Sequence, residues 1–255
     1  MRTPAAAPGI WRMQSSISGR KRVAGFVGET MLGTLPGNVP PAPGYWTYVA
    51  EVCRRHDVHL ILDEVYCGLG RSGKVHCCTW DHVTPDFLCI GMNLAAGYAP
   101  LSAVLLKAET ERIIQAGTGR LSHGHTHQSH GLGVAVALAV QKIVHQAEML
   151  DHIGRLGTRL ADTLGAELGG HPFFRAVHGR GLMKSLEYDC PERHEFSLAL
   201  AREMRESHAI LVDARYHRTS FAPAYIIDEA MLDRILDCYV SAFKKTAADW
   251  KPAKT

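Results

Sequence analysis

Residues 59–65 read HLILDEV, an apolar run that ends in two carboxylates, Asp63 and Glu64. The run reads as a buried strand, and three others flank it: VAGFVGE (23–29), DFLCIG (86–91) and PLSAVLL (100–106). The last two are too continuous for a half-exposed antiparallel sheet and are typical of strands covered on both faces. Between the first two strands, NVPPAPGYWTYVAEVCRRHDV reads as a loop followed by a helix that begins near Pro43 or Gly44. Strands alternating with helices predict an α/β sheet.

From His130 to about Leu168 the pattern changes to helical periodicity. Leu132, Val136, Val140, Ile143 and Val144 fall on one face, and Leu150, Ile153, Leu156, Leu160 and Leu164 continue it. The rest reads as a small α+β domain: FFRAVHGRGLMKSLEY, a helix near 195–207, AILVD, SFAPAYII and a closing helix near 228–245. This predicts an irregular lead over 1–22, a large domain over 23–165 and a small C-terminal domain over 166–250. No internal repeat or low-complexity tract is present.

Composition narrows the function classes. The 255 residues are 46% apolar and 21% charged with a formal charge of +3, and the basic residues are scattered rather than striped, so no nucleic-acid footprint stands out. Seven cysteines, odd in number and without a C-x-x-C pair, argue against a disulfide framework or a thiolate zinc site and for a reducing compartment. No run approaches the roughly 18 apolar residues of a membrane span, and no secretory signal is evident, so the expected location is the cytoplasm. Residues 1–28 hold five basic residues, Arg2, Arg12, Arg20, Lys21 and Arg22, and no acid, a transit-peptide composition that lacks an amphipathic period.

Asp63 ends a buried strand, where α/β sheets place their ligands. It either caps the following turn or pairs with Arg71, or else it faces a cationic ring nitrogen or a metal, since a buried unpaired carboxylate is costly. GLGRSGK (68–74) has neither the Walker nor the G-x-G-x-x-G spacing and reads as a turn. LSHGHTHQSHG (121–131) brings His123, His125, His127 and His130 close in sequence, which suits zinc if the segment is extended, whereas Gly124 and Thr126 suit a loop feeding a helix at His130. LCIGMNLAAGYAPLSAVL (88–105) is a strand, a small-residue turn and a second strand, with Met92 where many enzymes hold a cofactor-bearing side chain.

Together these blocks resemble the class III (ω-type) pyridoxal-phosphate aminotransferases of fold type I. LILDEVYCGLGRSGK is similar to that family's D-E-V-Q-T-G-F-G-R-T-G block, and GMNLAAGYAPLSAVL to its lysine turn A-K-G-L-G-G-G-Y-x-P-I-G-A-V. GHTHQSHGLGVAVALAV is similar to G-H-T-Y-x-x-H-P-x-x-x-A-A-A-L, and VHGRGLMKSLE and SFAPAYIIDEAMLDRIL to the two C-terminal blocks. The resemblance runs from about Val23 to Phe243. It implies part of a large, mostly parallel-sheet domain with a small α+β domain, pyridoxal 5'-phosphate as cofactor, and amino-group transfer between a primary amine or amino acid and an oxo acid or aldehyde.

The resemblance assigns roles by position. Asp63 would hold the pyridine nitrogen protonated and so keep the cofactor a strong electron sink, and Val65 would pack on the ring. Thr126, beside His125 in the same block, would bind the phosphate across a dimer interface, and Glu29 would stand on the substrate side. The sequence departs from the family in four ways. Met92 occupies the Schiff-base lysine position, with Lys74 and Lys107 the nearest amines. Tyr66 replaces a glutamine. Ser220 stands where a carboxylate-gripping arginine is common, with Arg215 or Arg218 as substitutes, and the family's N-terminal part has no counterpart. The partners implied are an amine donor, an oxo acceptor and a second copy in a homodimer, or a complementary chain. The alternative is a non-catalytic subunit or pseudoenzyme that pairs with such a chain.

Overall fold

A computed structural model of the chain describes residues 23–33 and 36–251. The described residues group into two compact units, 23–31, 41–69 and 74–145 in one, 32–33, 36–40, 70–73 and 146–251 in the other. The lead over 1–22 lies outside the described residues.

The first unit is built on a four-stranded sheet of β1 (Gly25–Glu29), β2 (His59–Asp63), β3 (Phe87–Ile90) and β4 (Ala103–Leu106), adjacent in that order. β1, β2 and β3 run parallel, and β4 returns antiparallel to β3. Helix α1 (Tyr45–Arg55) covers one face through Trp46, Val49 and Cys53, packing with Leu60, Leu62, Leu88 and Ile90. Gly28 makes this approach possible, because a Cβ there would stand 2.8 Å from the Trp46 ring. After α2 (Ala108–Ala116), helix α3 (Gly131–Val144) adds Ala137 to the same core.

Two expectations are corrected here. PLSAVLL is an antiparallel edge strand, and Val104, Leu105 and Leu106 are exposed, so this run is not covered on both faces. In α3 the buried residues are Gly133, Ala137 and Val144, while Leu132 is 71% and Ile143 51% exposed. Small residues let the helix backbone approach the core, which turns Leu132 and Ile143 of the expected face outward, while Val136 packs against the core and Val144 is buried.

The second unit folds around α4 (Ala147–Leu168), whose Ile153, Leu156, Leu160, Leu164 and Leu168 line one stripe at helical spacing. Its sheet is antiparallel in the order β5 (Phe174–Arg180), β6 (Met183–Tyr188), β8 (Arg218–Phe221), β7 (Asp213–Arg215). Helices α5 (Arg193–His208) and α6 (Glu229–Asp249) complete the core with Phe196, Leu200, Leu236 and Phe243. Because α4 packs in this core along its whole length, the second unit includes residues 146–165, which the periodicity had joined to the first. AILVD yields only its last residue to β7; Ile210 and Val212 instead pack against the core from the connection.

Candidate active site at the carboxyl ends of the parallel strands

Parallel register brings Glu29, Asp63 and Cys89 to one level across β1, β2 and β3, at the carboxyl ends of all three strands. Alternation along a strand then separates Asp63 from Glu64. The Glu64 carboxylate turns inward and is fully buried, accepting from the backbone amides of Cys77 (2.7 Å) and Cys78 (2.6 Å), the start of a short 3₁₀ turn. It is a structural group that shapes the loop after β2. Gly68 packs so closely on it that a Cβ there would lie 2.9 Å from the carboxylate.

Asp63 is half-buried on the opposite face. Its Oδ1 accepts from the Val65 amide at 2.9 Å, so it caps the turn, and no described lysine or arginine forms an ion pair with it. Arg71 is engaged elsewhere, within the second unit. It donates to the carbonyls of Leu182 (3.1 Å) and Pro223 (2.6 Å) and lies 4.4 Å over the Tyr225 ring. Burial, reinforced by the Asp63 carboxylate, pushes the Cys89 thiol pKa up, which keeps that thiol neutral beside the carboxylate.

The turn after β3 is held from two sides. Asn93 Nδ2 donates to the carbonyls of Tyr66 (3.0 Å) and Gly68 (3.2 Å), and Gln141 Nε2 of α3 donates to the carbonyls of Asn93 (3.0 Å) and Leu94 (2.9 Å). Val65 lies against Gly91, where a Cβ would come within 3.1 Å of it. Met92 projects from this braced turn, 62% exposed. Neither nearby lysine reaches in its place. Lys107 is paired with Asp86 at 2.7 Å, at the amino end of β3, and Lys74 lies 5.2 Å over the Trp80 ring.

His125 and Thr126 sit on an exposed loop that runs from Leu121 to the start of α3. His130 ends this loop as the helix cap, its Nδ1 accepting from the Gly133 amide at 3.2 Å. Among the described residues no three His, Cys, Asp or Glu gather as a metal set. In the second unit, Arg218 is buried in β8 opposite Glu187 of β6, Ser220 is half-buried opposite Ser185, and Arg215 is exposed and paired with Asp213. Among the described residues, no helix is long and apolar enough to cross a membrane.

Sequence reading missed the bracing residues. For Glu64 a signal existed, since period-two alternation sends it to the face opposite Asp63. For Asn93 and Gln141 none did, because their acceptors come from distant loops.

The model of the family described as aminotransferase class-III matches residues 11–243. The chain belongs to the class III aminotransferases. It is 36% identical over 170 residues to an aminotransferase of Gibberella zeae, covering 67% of this chain and 33% of the relative. It is 33% identical over 230 residues to the diaminobutyrate–2-oxoglutarate transaminase of Halomonas elongata, covering 86% and 49%. Among solved structures it is similar to the ornithine aminotransferase of Toxoplasma gondii crystallized in the presence of oxidized glutathione, with partial occupancy of PLP at its active site. That likeness has a TM-score of 0.79 and 30% identity and covers 90% of this chain and 53% of that one. The chain thus spans about half or less of the length of these class III relatives. The two units are part of the fold type I architecture of the family, whose members depend on pyridoxal phosphate.

Proposed function

We propose that this chain contributes the cofactor-binding core of a class III aminotransferase, which moves an amino group from a primary amine or amino acid to an oxo acid or aldehyde. The observation that carries the reading is Asp63, a half-buried carboxylate at a parallel strand end with no described cation to offset it. Such a group suits the protonated ring nitrogen of pyridoxal 5'-phosphate. When bound, that cofactor supplies an electron sink at the substrate carbon. Val65 and Tyr66 would flank the ring, Glu29 would face the substrate, and His125 with Thr126 would reach the phosphate from a second copy in a homodimer. For a substrate carboxylate we retain Arg215, Arg218 and Ser220 of the second unit as candidates; Arg215 stands opposite Arg218 across β7 and β8, and Ser220 opposite Asp213.

The donor set fits the ring nitrogen and does not fit covalent attachment. Met92 offers neither a bond to the cofactor nor a proton, and Lys74 and Lys107 are held at Trp80 and Asp86. Met92 therefore favours a second reading alongside the first: the chain acts as a non-catalytic subunit whose complementary chain completes the pocket. The cysteine pattern supports a cytoplasmic setting for either.

The test is a visible spectrum with pyridoxal phosphate on this chain and on Met92→Lys, each followed by borohydride reduction and mass analysis. The expected result is cofactor bound without a reducible adduct by this chain, and one pyridoxyl group fixed at position 92 of the variant. If neither protein binds the cofactor, the pocket reading fails for this chain alone.

A further inference from the structure

A protein retains an aldehyde most firmly by bonding it to a side-chain amine or thiolate. The described residues around Asp63 offer neither. Met92 has no amine, and Asn93 and Gln141 brace its turn from two sides. Lys107 follows Leu106, which stands opposite Phe87, and its ammonium is held on Asp86. Asp86 lies three residues down the strand from Cys89, the partner of Asp63, which is about 10 Å away from the site. Lys74 lies over the Trp80 ring, and Lys142 is exposed in the last turn of α3. The two thiols close by are disarmed. Burial, reinforced by Asp63, keeps Cys89 neutral, while Cys67, at the Asp63 carbonyl, is buried and pushed up by its hydrogen bond with Cys77.

We infer that the site beside Asp63 takes the cofactor already aminated, as dissociable pyridoxamine 5'-phosphate, in preference to the aldehyde, with Glu29 as the acceptor for its amine. Resting on the cofactor-binding reading above, this goes further by naming the form that binds. The two forms share ring, hydroxyl and phosphate and differ in the group opposite the ring nitrogen. One carries a neutral carbonyl there, the other a primary amine that is protonated near pH 7. The aldehyde forfeits the bond that a lysine at position 92 would form, with the high effective concentration of a tethered partner, whereas the amine form makes no such bond and forfeits nothing. Charge acts in the same direction. Asp63 is matched by the ring nitrogen, and Glu29 stands level with it one strand away, about 4.8 Å, within side-chain reach of the far end of a pyridine ring. Methionine in place of a lysine also removes the cation that would repel an ammonium group. Such a site requires a preceding reaction that aminates the cofactor. In it a primary amine donor is oxidised to a carbonyl compound as the aldehyde carbon of the cofactor is reduced to an aminomethyl group.

The test is equilibrium dialysis of this full chain, followed by absorbance, against pyridoxamine phosphate, pyridoxal phosphate and pyridoxine phosphate, the last bearing a neutral alcohol in place of either group. Pyridoxamine phosphate is expected to bind about 10-fold or more tighter than the other two. Met92→Lys reverses the order of amine and aldehyde, because the aldehyde gains its bond and the amine meets a like charge. Glu29→Gln, checked for folding by circular dichroism, narrows the gap between pyridoxamine and pyridoxine phosphate to about 3-fold or less and leaves pyridoxine phosphate binding as before. Four results would each overturn the inference while leaving the cofactor site in place. These are pyridoxal phosphate bound as tightly as pyridoxamine phosphate, a stoichiometric pyridoxyl group on Lys74, Lys107 or Lys142 after borohydride, an order unmoved in Met92→Lys, and a gap unmoved in Glu29→Gln. Binding of none of the three compounds removes the cofactor-binding reading itself, and the preference with it.

Discussion

Asn93 spans from the turn after β3 to the loop after β2, its side-chain amide donating to the Tyr66 carbonyl at 3.0 Å and to the Gly68 carbonyl at 3.2 Å. One side chain thus locks the turn that carries Met92 to the loop that follows Asp63. Asn93→Ala removes both bonds and is expected to cost about 1–3 kcal/mol in urea unfolding. Asn93→Asp should be worse than Ala, because a carboxylate would face two carbonyl oxygens. Equal stability of the two variants would mean that the amide is not the brace.

Glu64 accepts from two buried amides, and a shorter side chain leaves both donors without water or partner. Glu64→Ala should cost about 3 kcal/mol or more, while Glu64→Gln, which keeps one acceptor oxygen, should lose less. Urea midpoints for the two variants test this, and an alanine variant no weaker than the glutamine one would refute it.

Two glycines of α4 make opposite predictions from the same substitution. A Cβ on Gly157 would stand 2.1 Å from the Gly181 carbonyl oxygen, which is backbone and cannot turn aside, whereas a Cβ on Gly165 meets nothing within 4 Å. Gly157→Ala should therefore destabilise by about 1–3 kcal/mol despite its better helix propensity. Gly165→Ala should stabilise by roughly 0.5–1 kcal/mol in the same melting experiment.

Asp86 staples the amino end of β3 to Leu60 through the Leu60 amide at 2.8 Å and holds Lys107 at 2.7 Å. Burial alone would raise its pKa, but the Lys107 ammonium and the Leu60 amide outweigh burial and hold it below the ordinary 3.8. The folded chain then binds fewer protons at Asp86 than the unfolded chain does. Its contribution is fully present above the ordinary value and is lost as pH falls through the lower folded one. Stability measured from about pH 5 downward should fall less steeply in Asp86→Asn than in the native chain.

Much of this was readable in advance. The strands of the first sheet, the helix after Gly44 and the leucine stripe of α4 follow from local periodicity, which a strand or helix imposes wherever one side meets a core. Reading failed where small residues did the packing, as at Gly133 and Ala137, and where an apolar run sat at a sheet edge, as at Val104. It also failed for hydrogen bonds between loops, since nothing around Asn93 announces that its acceptors lie at Tyr66 and Gly68.

The sequence by itself determined the alternating architecture, the carboxylate at the end of β2, the methionine at the lysine position and the family, because each is written in residue type and spacing. Only the tertiary structure decided that Asp63 and Glu64 part to opposite faces with different work, that Lys107 stands at the wrong end of β3 to replace the missing amine, and that Val27, Ile61, Phe87 and Leu106 stand in register in one row across the sheet. The reason is that strand register and long-range hydrogen bonds join residues far apart in the chain, and no local pattern encodes which strands become neighbours.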